Sequence, residues 1–201
     1  MDIILAVEDA LAESLARAIA AAQDVNVAQC LQKRGKTYLK QRAHALGETA
    51  KIIPVLMLID QDTPTPCPSD LRTDWLQADS PESLLFRVAV MESEAWLLAD
   101  RKNVAEFLGV SMNRLPMNPD AEPDPKQTII NLAMKSRKRA IRSGLVPQRA
   151  KTASIGPEYN SLLPEFVMTQ WDLDTASANS KSLARTVRCL GELKARLDPS
   201  G

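Results

Sequence analysis

The chain has 201 residues, is 45% hydrophobic, and balances 25 Lys and Arg against 25 Asp and Glu. It can bury one sizeable core, but with zero net charge it has no overall field to attract nucleic acid or an acidic membrane, so any such attraction is local. The cysteines Cys30, Cys67 and Cys189 are far apart and odd in number, which excludes a disulfide framework or a cysteine zinc site, and His44 is the only histidine.

The first residues, Met1 to Glu8, form too short an apolar run for a signal peptide, and no later segment has the ~18 apolar residues of a membrane span. A soluble, cytoplasmic protein is expected. Ile3 to Val7 is continuously apolar and leads into an alanine- and leucine-rich stretch, Leu11 to Ala22, with helical spacing. This pattern predicts a buried strand feeding a helix. Val25 to Leu31 is expected as a second strand, and Gly35 to Leu46 as a basic amphipathic helix ended by Gly47 as C-cap. Ile52 to Ile59, apolar throughout, is the strongest strand signal and suits the centre of a sheet covered on both faces.

Pro64, Pro66 and Pro68 then forbid regular structure over residues 60–69. Asp70 to Leu76 is expected as a short helix, Leu84 to Val90 as a strand, and Glu94 to Ala99 as the start of another helix. Such alternation predicts an α/β fold, a mostly parallel sheet flanked by helices, over residues 1–109. Residues 110–201 open with a proline-rich connection and carry no strand signal. Lys126 to Lys135, Leu162 to Trp171 and Ser182 to Leu197 are expected as helices of an appendage packed on the core. Trp75, Trp96 and Trp171 fall in apolar helical patterns and are expected as core anchors, and His44 as a partly exposed helix residue.

Ligand sites in open α/β sheets form at the carboxyl ends of the strands, and acids stand at three of them. Glu8 follows the first strand, Asp60 and Asp62 follow the central one, and Glu92 and Glu94 follow the later one. Asp60 and Asp62, two residues apart, share a face if the backbone stays extended. Acids are also common at surface strand ends and before helices, where the helix dipole favours them. A converging set of carboxylates, however, repels itself, and a hard cation such as Mg²⁺ or Mn²⁺ is the simplest compensation.

The residues Val7-Glu8-Asp9 with Glu13, then Leu58-Ile59-Asp60-Gln61-Asp62, then Met91-Glu92-Ser93-Glu94-Ala95-Trp96-Leu97-Leu98-Ala99-Asp100 carry a resemblance. With the pieces Asp124-Pro125-Lys126 and Ser180-Lys181-Ser182-Leu183, they resemble a small bacterial TOPRIM-like family of unknown function, whose fold is shared by nucleases, topoisomerases and primases. The resemblance implies a metal-dependent nuclease with Glu8 as general acid or base and Asp60 and Asp62 as catalytic metal ligands, helped by Glu92 or Glu94. By analogy with compact TOPRIM nucleases it also implies a separate ATPase subunit and a role in phage defence. The family usually has glycine after the first glutamate, where this chain has Asp9.

Lys126, Lys135, Arg137, Lys138, Arg139, Arg142, Arg149 and Lys151 fall in a 26-residue stretch without an acid, a candidate surface for the phosphates of DNA or RNA. A solvated face or a patch for an acidic partner has the same composition. The smaller cluster Lys33, Arg34, Lys36, Lys40 and Arg42 carries the same ambiguity. No glycine-rich loop for ATP or a dinucleotide is present. Two other functions fit the acid pattern: a non-catalytic binding or regulatory subunit, favoured by Asp9, and a phospho-receiver in which Asp60 accepts phosphate.

Overall fold

The computed structural model describes residues 1–31, 35–62, 67–76, 78–148 and 153–198. Four parallel strands, β1 (Asp2–Val7), β2 (Asn26–Leu31), β3 (Val55–Asp60) and β4 (Leu84–Ala89), lie in the order β2-β1-β3-β4. The chain steps from β1 to β2 through α1 (Ala10–Ala22) and returns past β1 to β3 through α2 (Gly35–Ala50), so the two helices lie on opposite faces. A third helix, α3 (Pro68–Trp75), joins α2 on its face. The reversal of strand order makes the carboxyl ends of β1 and β3 a topological switch point, where open α/β sheets bind ligands in the crevice outside the strand ends. These strands are in register from Ile4 opposite Val55 to Val7 opposite Leu58.

Side chains of β1 and β3 alternate between two cores, as strand geometry requires. Ile4, Ala6, Val55, Met57 and Ile59 pack with Leu39 and Leu46 of α2 and Trp75 of α3. Ile3, Leu5, Val7, Leu56 and Leu58 pack with α1 and with α4 (Ser93–Ala99), whose Trp96 is fully buried. The chain then passes through α5 (Arg101–Leu108), α6 (Pro125–Met134), α7 (Arg139–Leu145), α8 (Tyr159–Thr169), α9 (Leu173–Asn179) and α10 (Lys181–Leu197). Leu163 and Phe166 of α8 and Leu183 and Leu190 of α10 belong to the same buried cluster as α1. Trp75, Trp96 and Trp171 are all buried, and His44 is exposed on α2.

Several boundaries differ from the sequence expectation. Gly47 does not end α2, which continues to Ala50 because Leu39, Ala43, Leu46 and Ala50 form one buried stripe that includes Gly47. Ile52 is 90% exposed in the turn after α2, and β3 starts only at Val55, just beyond Pro54, which has no amide hydrogen for a ladder. Helices α7 and α9 were not expected, being only seven residues each, too short for a clear period. Pro64, Pro66, Lys33, Arg34, Arg149 and Lys151 lie outside the described residues. No strand follows Ala89, and no helix is long and apolar enough to cross a membrane, among the described residues.

Candidate functional site

Glu8 leaves β1 one residue beyond the Val7 to Leu58 pair, which carries its side chain across to the end of β3. There its Oε1 accepts a hydrogen bond from the Asp60 amide at 2.9 Å. Asp60 is only 9% exposed, and its Oδ1 accepts from both the amide and the hydroxyl of Ser93, at 2.9 and 2.7 Å. Ser93 opens α4, so the carboxylate of Asp60 ties the end of β3 to that helix. Asp9 caps α1 by accepting from the Ala12 amide at 2.9 Å, which accounts locally for an acid in this position.

Asp62 does not share a face with Asp60. Its φ of +65° takes the chain out of extended conformation just past the strand, and the side chain is exposed. Its amide donates to the carbonyl of Met91, itself at φ +66°, so two left-handed non-glycine residues meet at the carboxyl edge of the sheet. Such strain is held in place by the surrounding structure and concentrates at functional sites. Lys36, in the first turn of α2, donates to the Asp60 carbonyl and to Asp62 Oδ2, each at 2.5 Å.

Glu94 is 2% exposed, and its Oε1 accepts from the Tyr159 hydroxyl at 2.8 Å. Glu92 accepts from the backbone amide of Lys126 at 3.0 Å and so anchors the start of α6. The Lys126 ammonium stands 3.4 Å from Glu92 and 3.8 Å from Glu94. Both acids after β4 therefore border the same end of the sheet as Asp60, with Glu94 the deeper.

Burial, reinforced by the charges of Asp62 and Asp9 and opposed by the Asp60 amide and Lys36, pushes the Glu8 carboxyl up to about 7. Burial also raises Glu94 to about 7, with Lys126 and Tyr159 opposing and Glu92 adding to the shift. Asp60 is raised well above the usual carboxylate range by burial first and then by the Glu94 and Glu8 charges. Burial disfavours the charge on Lys126, but Glu94, Glu92 and Asp60 outweigh it and raise its pKa. Five carboxylates thus face two lysines across this end of the sheet, and the cluster holds protons near neutral pH.

No group of three or more His, Cys, Asp or Glu side chains is disposed to hold a metal ion among the described residues. Glu8 and Asp60 are tied together through the Asp60 amide, which donates to the Glu8 carboxylate. A carboxylate has about four lone-pair sites, so the hydrogen bonds to Oε1 of Glu8 and Oδ1 of Asp60 do not exhaust the pair. Two carboxylates supplemented by water suit Mg²⁺, which takes few protein ligands.

Of the basic segment, Lys126 is part of the acid cluster, while Lys135, Arg137, Lys138, Arg139 and Arg142 are exposed around the turn from α6 to α7. None of these five is in an ion pair with a described residue. The ten residues of α6 put them about 15 Å from the acids at its start. Ser93 and Tyr159 have no sequence signal as site residues, Tyr159 standing 65 positions from Glu94, and Lys36 is legible only as part of a basic cluster, not as a partner of Asp60 and Asp62. The chain matches no known protein-family model, and neither a curated protein nor a solved structure is significantly similar to it.

Proposed function

We propose that the chain is a TOPRIM-type, metal-dependent nuclease that cleaves phosphodiester bonds of DNA or RNA, with the crevice between β1 and β3 as its active site. The observation that carries this reading is the buried Asp60 carboxylate, held by Ser93 at the end of β3 and tied through its amide to Glu8. Glu8 and Asp60 would hold Mg²⁺ or Mn²⁺, with Glu94 and Asp62 at the margin. A bound divalent ion supplies Lewis-acid stabilisation of charge on the transferring phosphoryl oxygens.

The chain's own residues have separate tasks. Glu8, whose carboxyl burial pushes up to about 7 in the metal-free protein, stands where the TOPRIM resemblance places a general base or acid. Ser93 fixes the orientation of Asp60, and Lys36 holds Asp62 at the rim, where an ammonium is also placed to meet a phosphate. The exposed cations from Lys135 to Arg142 would bind the backbone of the substrate farther out. A partner ATPase and a role in phage defence extend this reading by analogy.

The test is cleavage of end-labelled single- and double-stranded DNA and RNA with Mg²⁺, Mn²⁺ or EDTA. Cleavage that requires metal and disappears in Glu8→Gln and Asp60→Asn, both folded by circular dichroism, is the expected result. Metal-independent cleavage, or undiminished activity in both variants, contradicts it.

A second reading, a non-catalytic binding subunit with the same fold, is favoured by the neutralisation that Lys36 and Lys126 already supply. Under that reading the acids are satisfied without a cation. Mg²⁺ and Mn²⁺ then show no saturable binding.

A further inference from the structure

Strand β4 is the edge of the sheet among the described residues, and a cleft lies over its open side between α3 and α10. Arg72 of α3, Arg87 of β4 and Arg185 of α10 line this cleft together. Arg87 is half-buried and donates from Nε to the Thr186 hydroxyl at 3.3 Å. None of the three guanidinium groups is in an ion pair with a described residue, whereas neighbouring Arg188 and Arg196 pair with Glu192 and Glu82. Burial lowers the pKa of Arg87, with Cys189 opposing and Arg185, Arg188 and Arg72 adding to the shift, and no Asp or Glu is among the residues that line the cleft.

The cleft also reaches Val90, two residues from Glu92, and Met91 binds the Asp62 amide. It therefore opens beside the acid crevice. Asp60 is level with Ala89, so Arg87 stands two residues, about 7 Å, down the strand from the acids. That is comparable to the step between successive phosphates of an extended strand. Phe86 and Val88, at the cleft, are only 5% and 8% exposed, which leaves little free strand edge for a peptide to pair with.

We infer that Arg72, Arg87 and Arg185 form a phosphate-binding cleft that holds a nucleic-acid strand where it passes from the acid crevice along the β4 edge. The choice of a nucleic-acid strand rests on the proposed nuclease reading, but the cleft itself is a distinct site. Guanidinium forks from three elements around one cleft suit phosphate oxygens.

The test is fluorescence anisotropy of a fluorescein-labelled oligodeoxythymidylate with the full chain in EDTA, so that binding is read without cleavage. Arg87→Gln and the double variant Arg72→Gln, Arg185→Gln are each expected to weaken binding about tenfold and to lower the salt slope by about 0.7 per lost contact. Arg188→Gln is the control and should remain within about twofold of wild type. The double variant changes only exposed side chains, so it covers the case in which Arg87→Gln fails to fold. Unchanged affinity and slope in the double variant, or absent wild-type binding at low salt, overturns the cleft. Binding of polyglutamate that depends on these arginines, without oligonucleotide binding, makes it a peptide site and overturns it too. Arginine-dependent binding by a protein that never cleaves supports the cleft and removes only the nuclease reading.

Discussion

The amide of Asp60 donates to Glu8 Oε1 at 2.9 Å, joining the carboxyl ends of the two central strands across 52 residues of sequence. Glu8 is thereby held at the mouth of the crevice, and Asp60 is oriented by Ser93 from the far side. The neighbouring Glu94 shares this end of the sheet from a still more buried position.

Stability should fall as the solution becomes more alkaline. Glu8 and Glu94 have ordinary values of 4.5 and folded values near 7, so below about 4.5 both states hold the proton. Between about 4.5 and about 7 the unfolded chain loses a proton that the folded chain keeps, and stability declines as pH rises through this window. For Glu94 the loss is roughly 3 kcal/mol. Urea unfolding in EDTA should give higher stability at pH 5 than at pH 8, and Glu94→Gln should reduce the difference while Glu8 maintains the rest. Equal stability at both pH values in wild type contradicts the shifts.

Tyr159→Phe removes the hydroxyl that donates to Glu94 and leaves the buried carboxylate with Lys126 at 3.8 Å. It should destabilise the protein by about 1 to 3 kcal/mol, more at pH 8 than at pH 5, because the bond to an ionised acceptor is the stronger one. Chemical denaturation at the two pH values checks this. An equal loss at both would show that Glu94 is not the partner that matters.

The architecture was readable where the physics is local and repetitive. Ile3 to Val7 and the run ending at Ile59 are apolar on both faces because helices cover both sides of the sheet, and both proved to be central strands. The positions of Glu8, Asp60, Glu92 and Glu94 at the carboxyl edge followed from those strands. The divergence of Asp62 from Asp60 did not, because it depends on a left-handed backbone turn that aspartate tolerates better than most residues but that remains uncommon at any one of them. Ser93 and Tyr159 were equally hidden, and so was the pairing of Lys36 with the acids: each reaches the cluster through tertiary packing from another element, and none has a spacing that announces it.

Asp9 combines a structural task with an electrostatic one. As the cap of α1 its loss in Asp9→Ala should cost about 1 kcal/mol, and Asp9→Gly only a few tenths. Its charge also raises Glu8 and Asp60, so both substitutions should lower the Glu8 pKa. Thermal melts together with the titration profile of Glu8 followed by NMR check both effects. A profile unmoved by either substitution contradicts the electrostatic part.

The exposed cations around the turn from α6 to α7 should act as a unit independent of the acids. Arg137→Glu with Arg139→Glu should weaken nucleic-acid binding and reduce the salt slope by about 0.7 to 0.9 for each lost phosphate contact. Anisotropy over a salt series measures this. An unaltered slope removes the segment from the substrate path and favours an acidic protein partner or a merely solvated face.

A hard cation shared by Glu8 and Asp60 between the ends of β1 and β3 should be visible in isothermal titration of the metal-free protein with Mn²⁺ at neutral pH. Saturable binding with proton release from the raised carboxyls, weakened in Glu8→Gln and lost in Asp60→Asn, is expected. No saturable binding by wild type, or equal binding by both variants, contradicts it.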